Sequence, residues 1–309
     1  MKIAENFTPP LINGVSASKV FLPHDFVSET IFDYLCQHFP HIQVNEWQQR
    51  FKDELIYSAD GEKLKLDSVY TPNTHIFYYR FLAHEVPVPF QHEILFENDH
   101  LLVVDKPHFL TMSPTGQYVQ ETLLVRLKKQ TGYEDLSPIH RLDRETAGVV
   151  LFCKKPESRG IYQKLFADRK VQKTYHAIAA YDSKLRFPQT LELHLEKGQP
   201  FYTMQINADK LNNSETYIEL IEHTENYAKY LLKPKTGKQH QLRVHLNSLG
   251  IPILNDSFYP TVIHKLESGF SAPLQLLAKE ICFVDPITQI EMRFSSNFEL
   301  TLPIQRNDK

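Results

Sequence analysis

The 309-residue chain contains three cysteines, ten glycines and no long apolar run. Cys36, Cys153 and Cys282 stand far apart without the close pairs that a zinc site needs, so we expect free thiols in a reducing cytoplasm. The longest apolar runs, such as AGVVLFC at 147–153, are too short to span a bilayer, and MKIAENFTPPLING at the start contains no apolar signal segment. The sequence therefore argues against a membrane protein, a secreted protein and a zinc protein.

Positive charge is concentrated in two stretches, although the net charge is −3. Residues 154–173 contain seven Lys and Arg against two Asp and Glu, and residues 233–243 contain four basic residues and no acidic one. Residues 1–85 are acidic, with seven basic residues against eleven acidic ones. Two solvated basic faces would explain the basic runs, and so would a surface that holds phosphates. Charge alone favours neither interpretation.

The order of the elements predicts two domains that meet near residue 88. Residues 1–88 contain two amphipathic helices, the first over 31–39, and a hairpin turn at Asp60-Gly61. Residues 89–309 mix strands with helices and show few regular βαβ units. We therefore expect an α+β fold, with a mixed, mainly antiparallel sheet in the larger domain and a small α/β domain before it.

Several elements of the larger domain can be placed from periodicity. Strands are expected at 100–107, 147–153, 173–181, 216–223 and 226–233, and a helix is expected near 157–169. A second helix is predicted over TGKQHQLRVHLNSLG at 236–250, where Thr236 and Gln239 have the spacing of a capping box and Gly250 marks the stop. Its polar face, which includes Arg243, could either belong to an ordinary amphipathic helix or contribute to a functional site.

The stretch SPIHRLDRETAGVVLF at 137–152 carries a run of charge directly into a buried strand. Asp143 lies between Arg141 and Arg144, and an arginine that pairs with a carboxylate keeps it ionised and oriented. Such a carboxylate in a cleft can act as a nucleophile or a base. A salt-bridged loop is the commoner use of this pattern, so the residues themselves leave both uses open.

Four elements of the sequence resemble those of the RluA-type pseudouridine synthases, which isomerise uridine in RNA, and they follow one another in the order of that family. HRLDRETAGVVLF resembles the signature of that family, and KTY at 173–175 resembles its lysine-x-tyrosine element. PKTGKQHQLRVHLNSLGIPILNDSFY resembles its third motif, and LLVVDKP resembles the strand that opens its catalytic domain. The resemblance covers about residues 92–300. The third motif departs from the family at Lys238-Gln239, where Arg-Thr is usual, and at Asn255, where a glycine usually precedes Asp256.

The resemblance implies catalytic roles for three residues. Asp143 corresponds to the nucleophilic aspartate, which could attack the ribose or the base or remove a ribose proton. Tyr175 corresponds to the tyrosine that lies on the target uracil and takes part in removing the proton from carbon 5. Arg243 corresponds to the arginine that pairs with the aspartate.

The same resemblance implies four residues that contact or support the substrate. Leu242 would form an apolar wall for the base, and Arg141 would fill the stack that the flipped-out base leaves. His140 is expected to be a hydrogen-bonded neighbour of the site. Arg144 is expected to face a phosphate or to hold the loop.

The function implied by the resemblance is isomerisation of uridines in structured RNA, either rRNA or tRNA, by a cytoplasmic monomer. No cofactor is expected because the reaction has no redox or phosphoryl step. No metal is expected either, since His240 and His245 are five residues apart instead of the four of a helical zinc pair. Residues 1–88 resemble a divergent alpha-L RNA-binding domain. A non-catalytic RNA-binding or RNA-folding factor and a carboxylate hydrolase of nucleosides are the alternatives.

Overall fold

The computed structural model describes residues 7–80, 82, 85–263 and 269–303, and the chain forms two compact units. The first unit contains the chain up to Glu85 together with Pro114–Gln120 and Val125–Glu134. The second unit contains Val86–Ser113, Glu121–Leu124 and the chain from Asp135 onward. The two later segments join the first unit through contacts between residues that are far apart in the chain. The pattern of apolar residues along the sequence does not predict such contacts. Within the described ranges, no helix combines the length and the apolar character needed to cross a membrane.

The first unit packs two helices and a three-stranded antiparallel sheet around one core. Its elements in chain order are β1 (Ser18–Leu22), α1 (Ile31–His38), α2 (Val44–Lys52), β2 (Ile56–Ser58) and β3 (Thr74–Tyr78). Strand β3 lies between β1 and β2. Helix α1 begins after Thr30, whose hydroxyl accepts the Asp33 N–H at 3.1 Å. Its inner face packs against Trp47, which is fully buried.

The second unit is built on a ten-stranded sheet. Its strands are β4 (Glu93–Glu97), β5 (Leu101–Lys106), β6 (Ser137–Pro138), β7 (Ala147–Cys153), β8 (Gln172–Ala180), β9 (Gln189–Leu193), β12 (Ser214–His223), β13 (Tyr227–Pro234), β14 (Leu276–Val284) and β15 (Glu291–Ser295). The order is β4-β5-β7-β14-β8-β13-β12-β9, with β15 beside β14 and β6 beside β7. Among the described strands of this sheet, only β7 and β14 pair in parallel. The prediction of an α+β fold with a mixed, mainly antiparallel sheet is confirmed.

The remaining elements are three helices and a separate hairpin. The helices are α3 (Leu123–Thr131), α4 (Pro156–Ala167) and α5 (Gln241–Ser248). The hairpin pairs β10 (Leu195–Lys197) with β11 (Met204–Ile206) in antiparallel register. Helix α5 packs against β11 and β12, so it fixes the loop that precedes it beside both the hairpin and the large sheet.

Strands β5 and β7 are neighbours in the sheet, and every residue of both is buried. Gly148 lies in β7 with φ 117°, where its partner Ala278 in β14 comes so close that an added Cβ would sit 2.2 Å from the Ala278 carbonyl oxygen. No L-amino-acid side chain fits there. The glycine five residues after Asp143 therefore allows the parallel pairing that places the Asp143 loop at the middle of the sheet.

Helix α5 is shorter than the sequence predicts, and the capping box at 236–239 is wrong. The Thr236 hydroxyl accepts the Glu215 N–H at 3.0 Å and donates to the side-chain oxygen of Gln241 at 2.7 Å. That same oxygen accepts the Lys238 N–H at 3.0 Å. Because these bonds tie Thr236 to strand β12, residues 236–240 form a loop and the helix begins only at Gln241. The loop exposes Lys238 and Gln239 at the surface.

Candidate active site

A cavity of about 960 Å³ opens in the second unit where the Asp143 loop, strand β8 and the loop before α5 converge. Six of the seven residues predicted for the site line it: Asp143, Tyr175, Arg243, Arg141, Leu242 and His140. Pairing of the strands thus brings together segments that are far apart in the chain. The volume lies within the range of clefts that hold a molecule of nucleotide size.

Arg243 is fixed by Asp256, a residue that the sequence reasoning did not assign to the site. Its Nε donates to Asp256 Oδ2 at 2.8 Å and its Nη2 donates to Oδ1 at 2.7 Å, and both side chains are almost fully buried. The guanidinium carbon also lies 4.8 Å from the ring of Phe258. Burial lowers the pKa of Arg243, but the bonds to Asp256 and the charges of Asp256 and Asp143 outweigh this and raise it. Arg243 is therefore a permanent, immobile cation at the cavity wall.

Asp143 is the carboxylate that this cation faces. Its Oδ2 lies 3.5 Å from Arg243 Nη1 and 3.8 Å from His240 Nε2, and 26% of its side chain is exposed. The Thr146 N–H donates to the Asp143 carbonyl at 3.1 Å and closes the turn that leads into β7. The carboxylate thus sits at the rigid end of a buried strand while remaining open to the cavity. That arrangement suits a group that must meet a ligand in one orientation.

Tyr175 lies on β8, directly between its partners Leu232 in β13 and Ala278 in β14. Its side chain lines the cavity. Burial, followed by the negative charge of Asp143, raises the pKa of the Tyr175 hydroxyl. The hydroxyl is therefore protonated at neutral pH and can give a hydrogen bond.

Comparison with known proteins decides the family. The family model described as RNA pseudouridylate synthase matches residues 100–248. A tRNA pseudouridine synthase C of Vibrio vulnificus is 31% identical over 216 residues, which cover 65% of this chain and 88% of that protein. The chain belongs to the RluA-type RNA pseudouridine synthase family. It is accordingly an isomerase that acts on RNA.

A second relative and a solved structure agree with this family. The dual-specificity RNA pseudouridine synthase RluA of Vibrio parahaemolyticus is 30% identical over 208 residues, which cover 63% of this chain and 78% of that protein. The structure of human RNA pseudouridylate synthase domain containing 1 superposes with a TM-score of 0.57, covering 70% of this chain and 88% of that chain at 23% identity. This structural likeness confirms the fold of the synthase.

His140 of the synthase supports the cavity wall. Its Nε2 accepts the Leu151 N–H at 3.1 Å, and its ring stacks on Phe166 at 4.6 Å. Burial, with a smaller contribution from the charge of Lys173, lowers the pKa of His140 to about 3. The imidazole is therefore neutral at physiological pH. Its hydrogen bond to strand β7 agrees with a supporting role beside the site.

The other three predicted substrate residues differ in exposure. Leu242 is buried at the cavity wall, where it offers an apolar surface. Arg141 is exposed at the cavity mouth, so its guanidinium is free to meet a ligand from outside. The guanidinium carbon of Arg144 lies 5.6 Å from the ring of Phe109, and Arg144 is absent from the described cavity wall. Arg144 therefore packs on the side of the loop.

Lys106 binds the backbone of the loop that carries Asp143. It is fully buried, and its Nζ donates to the carbonyls of Pro107, Leu110 and Arg144 at 3.0, 2.9 and 3.1 Å. Three acceptors match the three N–H donors of the charged ammonium group. Burial lowers the pKa of Lys106 to about 7. The negative charge of Asp143 raises this pKa, and the positive charge of Arg144 lowers it. Lys106 thus fixes the backbone immediately after Asp143.

Basic side chains surround the cavity mouth. Lys173, Lys235, Lys238 and Arg169 all line the cavity. Burial lowers the pKa of Lys173 to about 8, so its ammonium group stays largely charged at neutral pH. The two basic runs of the sequence therefore supply residues to one surface of the second unit.

Gln239 links the loop before α5 to the β10–β11 hairpin through two hydrogen bonds. Its side-chain oxygen accepts Lys197 Nζ at 2.7 Å, and its Nε2 donates to the Tyr202 carbonyl at 3.3 Å. A threonine, which the family usually carries here, is too short to span both partners. The departure at Gln239 therefore has a structural use in this chain.

The sequence reasoning missed Asp256, Tyr259 and the contact of His240 with Asp143. Asp256 lies thirteen residues after Arg243, beyond the end of α5, and no periodic pattern links them. The sequence feature that could have indicated them is their place in the third motif, which contains His240, Asp256 and Tyr259. A buried arginine in that motif requires a carboxylate partner, and Asp256 is the acidic residue there.

Proposed function

We propose that this synthase converts specific uridines of structured RNA, either rRNA or tRNA, to pseudouridine, with Asp143 acting as nucleophile or base on a flipped-out uridine. The observation that carries the proposal is the geometry of Asp143, a partly exposed carboxylate held beside the immobile Arg243 at the wall of the cavity. A non-catalytic RNA-binding factor has no use for a cation kept in this way by a second buried carboxylate.

The chemistry of isomerisation fits the groups that line the cavity. The bond between N1 of uracil and C1′ of ribose breaks, the uracil turns, and C5 bonds to C1′. The proton on C5 leaves and N1 gains one, so atoms and electrons balance without a cofactor. A carboxylate can assist by attacking the ribose or the base or by removing a ribose proton. Arg243 stabilises the negative charge of that carboxylate before the uridine binds.

Tyr175 is suited to lie on the uracil and to take part in the loss of the C5 proton. Because burial keeps its hydroxyl protonated, it can accept that proton only if it passes its own proton on at the same time. Asp143 is the negative charge whose effect reaches the Tyr175 hydroxyl. Leu242 would then form the opposite apolar wall.

Base flipping is supported by the position of Asp143. A carboxylate inside a cavity cannot reach a base that remains stacked in a duplex, so the target nucleotide has to leave the stack. Arg141, exposed at the mouth, is placed to enter the space that the base vacates. The basic residues at the mouth would hold the flanking phosphates.

The kind of RNA is proposed from relatives and charge. One relative is described as dual-specificity and another as a tRNA synthase, so tRNA and rRNA are both candidate substrates. We also propose the division into an RNA-binding domain at 1–88 and a catalytic domain at 89–309. A cytoplasmic monomer remains our expectation, and the free state of Cys36, Cys153 and Cys282 is consistent with a reducing compartment.

Release of the C5 hydrogen distinguishes an isomerase from an RNA-binding factor. The full chain is incubated with tRNA and rRNA transcripts made with [5-³H]uridine triphosphate, and tritium in the water is counted. Stoichiometric release, with the modified position located by chemical mapping, is the expected result. Binding of a transcript without release from any of them would leave the RNA-binding factor as the function.

A further inference from the structure

His240 occupies an unusual position directly before helix α5. Its backbone is left-handed, with φ 53°, and its side chain is almost fully buried. Nonglycine residues adopt this conformation only at an energetic cost, and it persists where the surroundings require it. The imidazole lies between two polar groups, the Tyr259 hydroxyl 2.9 Å from Nδ1 and Asp143 Oδ2 3.8 Å from Nε2.

The hydrogen bonds of Tyr259 determine which ring nitrogen of His240 carries the proton. The Met204 N–H donates to the Tyr259 oxygen at 2.8 Å, so this oxygen already accepts one bond. Within the described chain, His240 Nδ1 is the other hydrogen-bonding partner of that hydroxyl. Because a buried hydroxyl needs an acceptor for its own proton, the Tyr259 O–H donates to Nδ1. A neutral imidazole that accepts at Nδ1 carries its proton on Nε2.

Nε2 of His240, which then carries the proton, lies 3.8 Å from the oxygen of Asp143 that faces Arg243, a contact longer than a hydrogen bond. Both groups approach Oδ2, at 3.8 and 3.5 Å, whereas Oδ1 has no hydrogen bond from any described residue. We propose that His240 is a positioning residue that, together with Arg243, holds Oδ2 of Asp143 so that Oδ1 is the oxygen presented to the uridine. This inference rests on the proposed function of Asp143.

A neutral donor is better suited to this task than a second cation. Burial, with the positive charges of Arg243 and Lys197, outweighs the carboxylates of Asp143 and Asp256 and lowers the pKa of His240 to about 4. The imidazole is therefore uncharged where Arg243 already supplies one full positive charge. Its N–H can orient the carboxylate without adding charge that would weaken it as a nucleophile.

Two substitutions at His240 separate hydrogen bonding from backbone preference. The amide nitrogen of His240→Gln reaches the place of Nε2, whereas the amide of His240→Asn reaches only the place of Nδ1. Asparagine tolerates the left-handed backbone better than glutamine does, so backbone strain alone would favour the Asn variant. The inference requires the opposite order of activity.

The readouts are the single-turnover rate of tritium release and the Kd for the same transcript, measured for the full chain with [5-³H]uridine-labelled tRNA or rRNA. We expect His240→Gln to stay within about threefold of the wild-type rate and His240→Asn to lose roughly tenfold, the lower end of the range for a hydrogen bond to a charged group, because the contact of 3.8 Å is longer than such a bond. The Kd should be unchanged in both. Tyr259→Phe should slow the wild-type chain but add no further loss to His240→Gln, because glutamine does not depend on the tautomer.

His245→Gln is the matched control, since His245 lies on the same helix, is fully buried and bonds Ser214 at 2.9 Å, away from the cavity. It should lower the melting temperature without changing the rate of the folded protein. Equal rates in the Gln and Asn variants, or a faster Asn variant, would overturn the inference. Asp143→Asn is assayed beside them, and if it retains the wild-type rate, the proposed function of Asp143 fails. If Asp143→Asn is inactive, the relative rates of His240→Gln and His240→Asn test the positioning role of His240 alone.

Discussion

Arg243 gives two short hydrogen bonds to Asp256 and a single contact of 3.5 Å to Asp143. The two carboxylates therefore have different tasks. Asp256 is buried and also accepts the Phe258 and Tyr259 N–H groups, so it holds the guanidinium in place. Asp143 is partly exposed and shares only one edge of that guanidinium, which leaves it available to a ligand.

Asp256→Asn should impair both stability and catalysis. Loss of the buried carboxylate leaves Arg243 without its partner, which should cost about 3–5 kcal/mol in the free energy of unfolding. The freed guanidinium would turn toward Asp143 and slow tritium release at least tenfold. Urea unfolding and single-turnover assays measure the two effects.

Asp285→Asn provides the comparison for Asp256→Asn. Asp285 is also fully buried and accepts the Tyr162 hydroxyl at 2.8 Å, but it does not belong to the described cavity wall. Its loss should destabilise the chain while the folded fraction keeps the wild-type rate. A similar drop in rate in both variants would show that Asp256 acts only through stability.

Tyr175→Phe should keep RNA binding and lose release of the C5 hydrogen. The ring that would stack on uracil is preserved, whereas the hydroxyl that would pass on the proton is removed. A filter-binding Kd close to wild type, with tritium release reduced by about a hundredfold or more, is the expected result. Unchanged release would restrict Tyr175 to stacking.

Lys106 should make stability depend on pH. Its pKa is about 7 in the folded chain and 10.5 ordinarily, so between these values the unfolded chain binds more protons and wild-type stability rises with pH. Below about pH 7 both states are protonated and the dependence disappears. The difference in unfolding free energy between wild type and Lys106→Met should therefore rise from pH 7.5 to 9.5, by at most about 1.4 kcal/mol per pH unit.

Urea titrations at several pH values measure this difference. The Met variant lacks the titrating group and keeps a side chain of similar length in the buried site. A difference that stays flat over the interval would mean that the three carbonyl acceptors keep the Lys106 pKa close to its ordinary value.

Much of the fold and of the site follows from local sequence. The strands β5 and β7 are completely buried and contain short, continuous apolar runs rich in valine and leucine, so run length and composition locate them. Asp143, Tyr175 and Arg243 were predicted from motifs that occur in a fixed order, and all three line one cavity.

Long-range hydrogen bonds explain what the sequence did not predict. Helix α5 begins late because the Thr236 hydroxyl bonds strand β12, more than twenty positions earlier in the chain. Asp256 and Tyr259 join the site through a loop whose path no propensity specifies. The segments Pro114–Gln120 and Val125–Glu134 pack in the first unit through contacts such as that of Val125 with Val15, which a local pattern cannot show.

Asp143→Asn tests whether the Asp143 carboxylate is the nucleophile or base of the reaction. The substitution removes the negative charge but keeps the size of the side chain, so the cavity and the RNA contacts should survive. With excess enzyme over [5-³H]uridine-labelled transcript, we expect an unchanged Kd, an unchanged melting temperature within a few degrees, and no release of tritium above background. Release at the wild-type rate by the Asn variant would contradict the assignment of Asp143 as nucleophile or base.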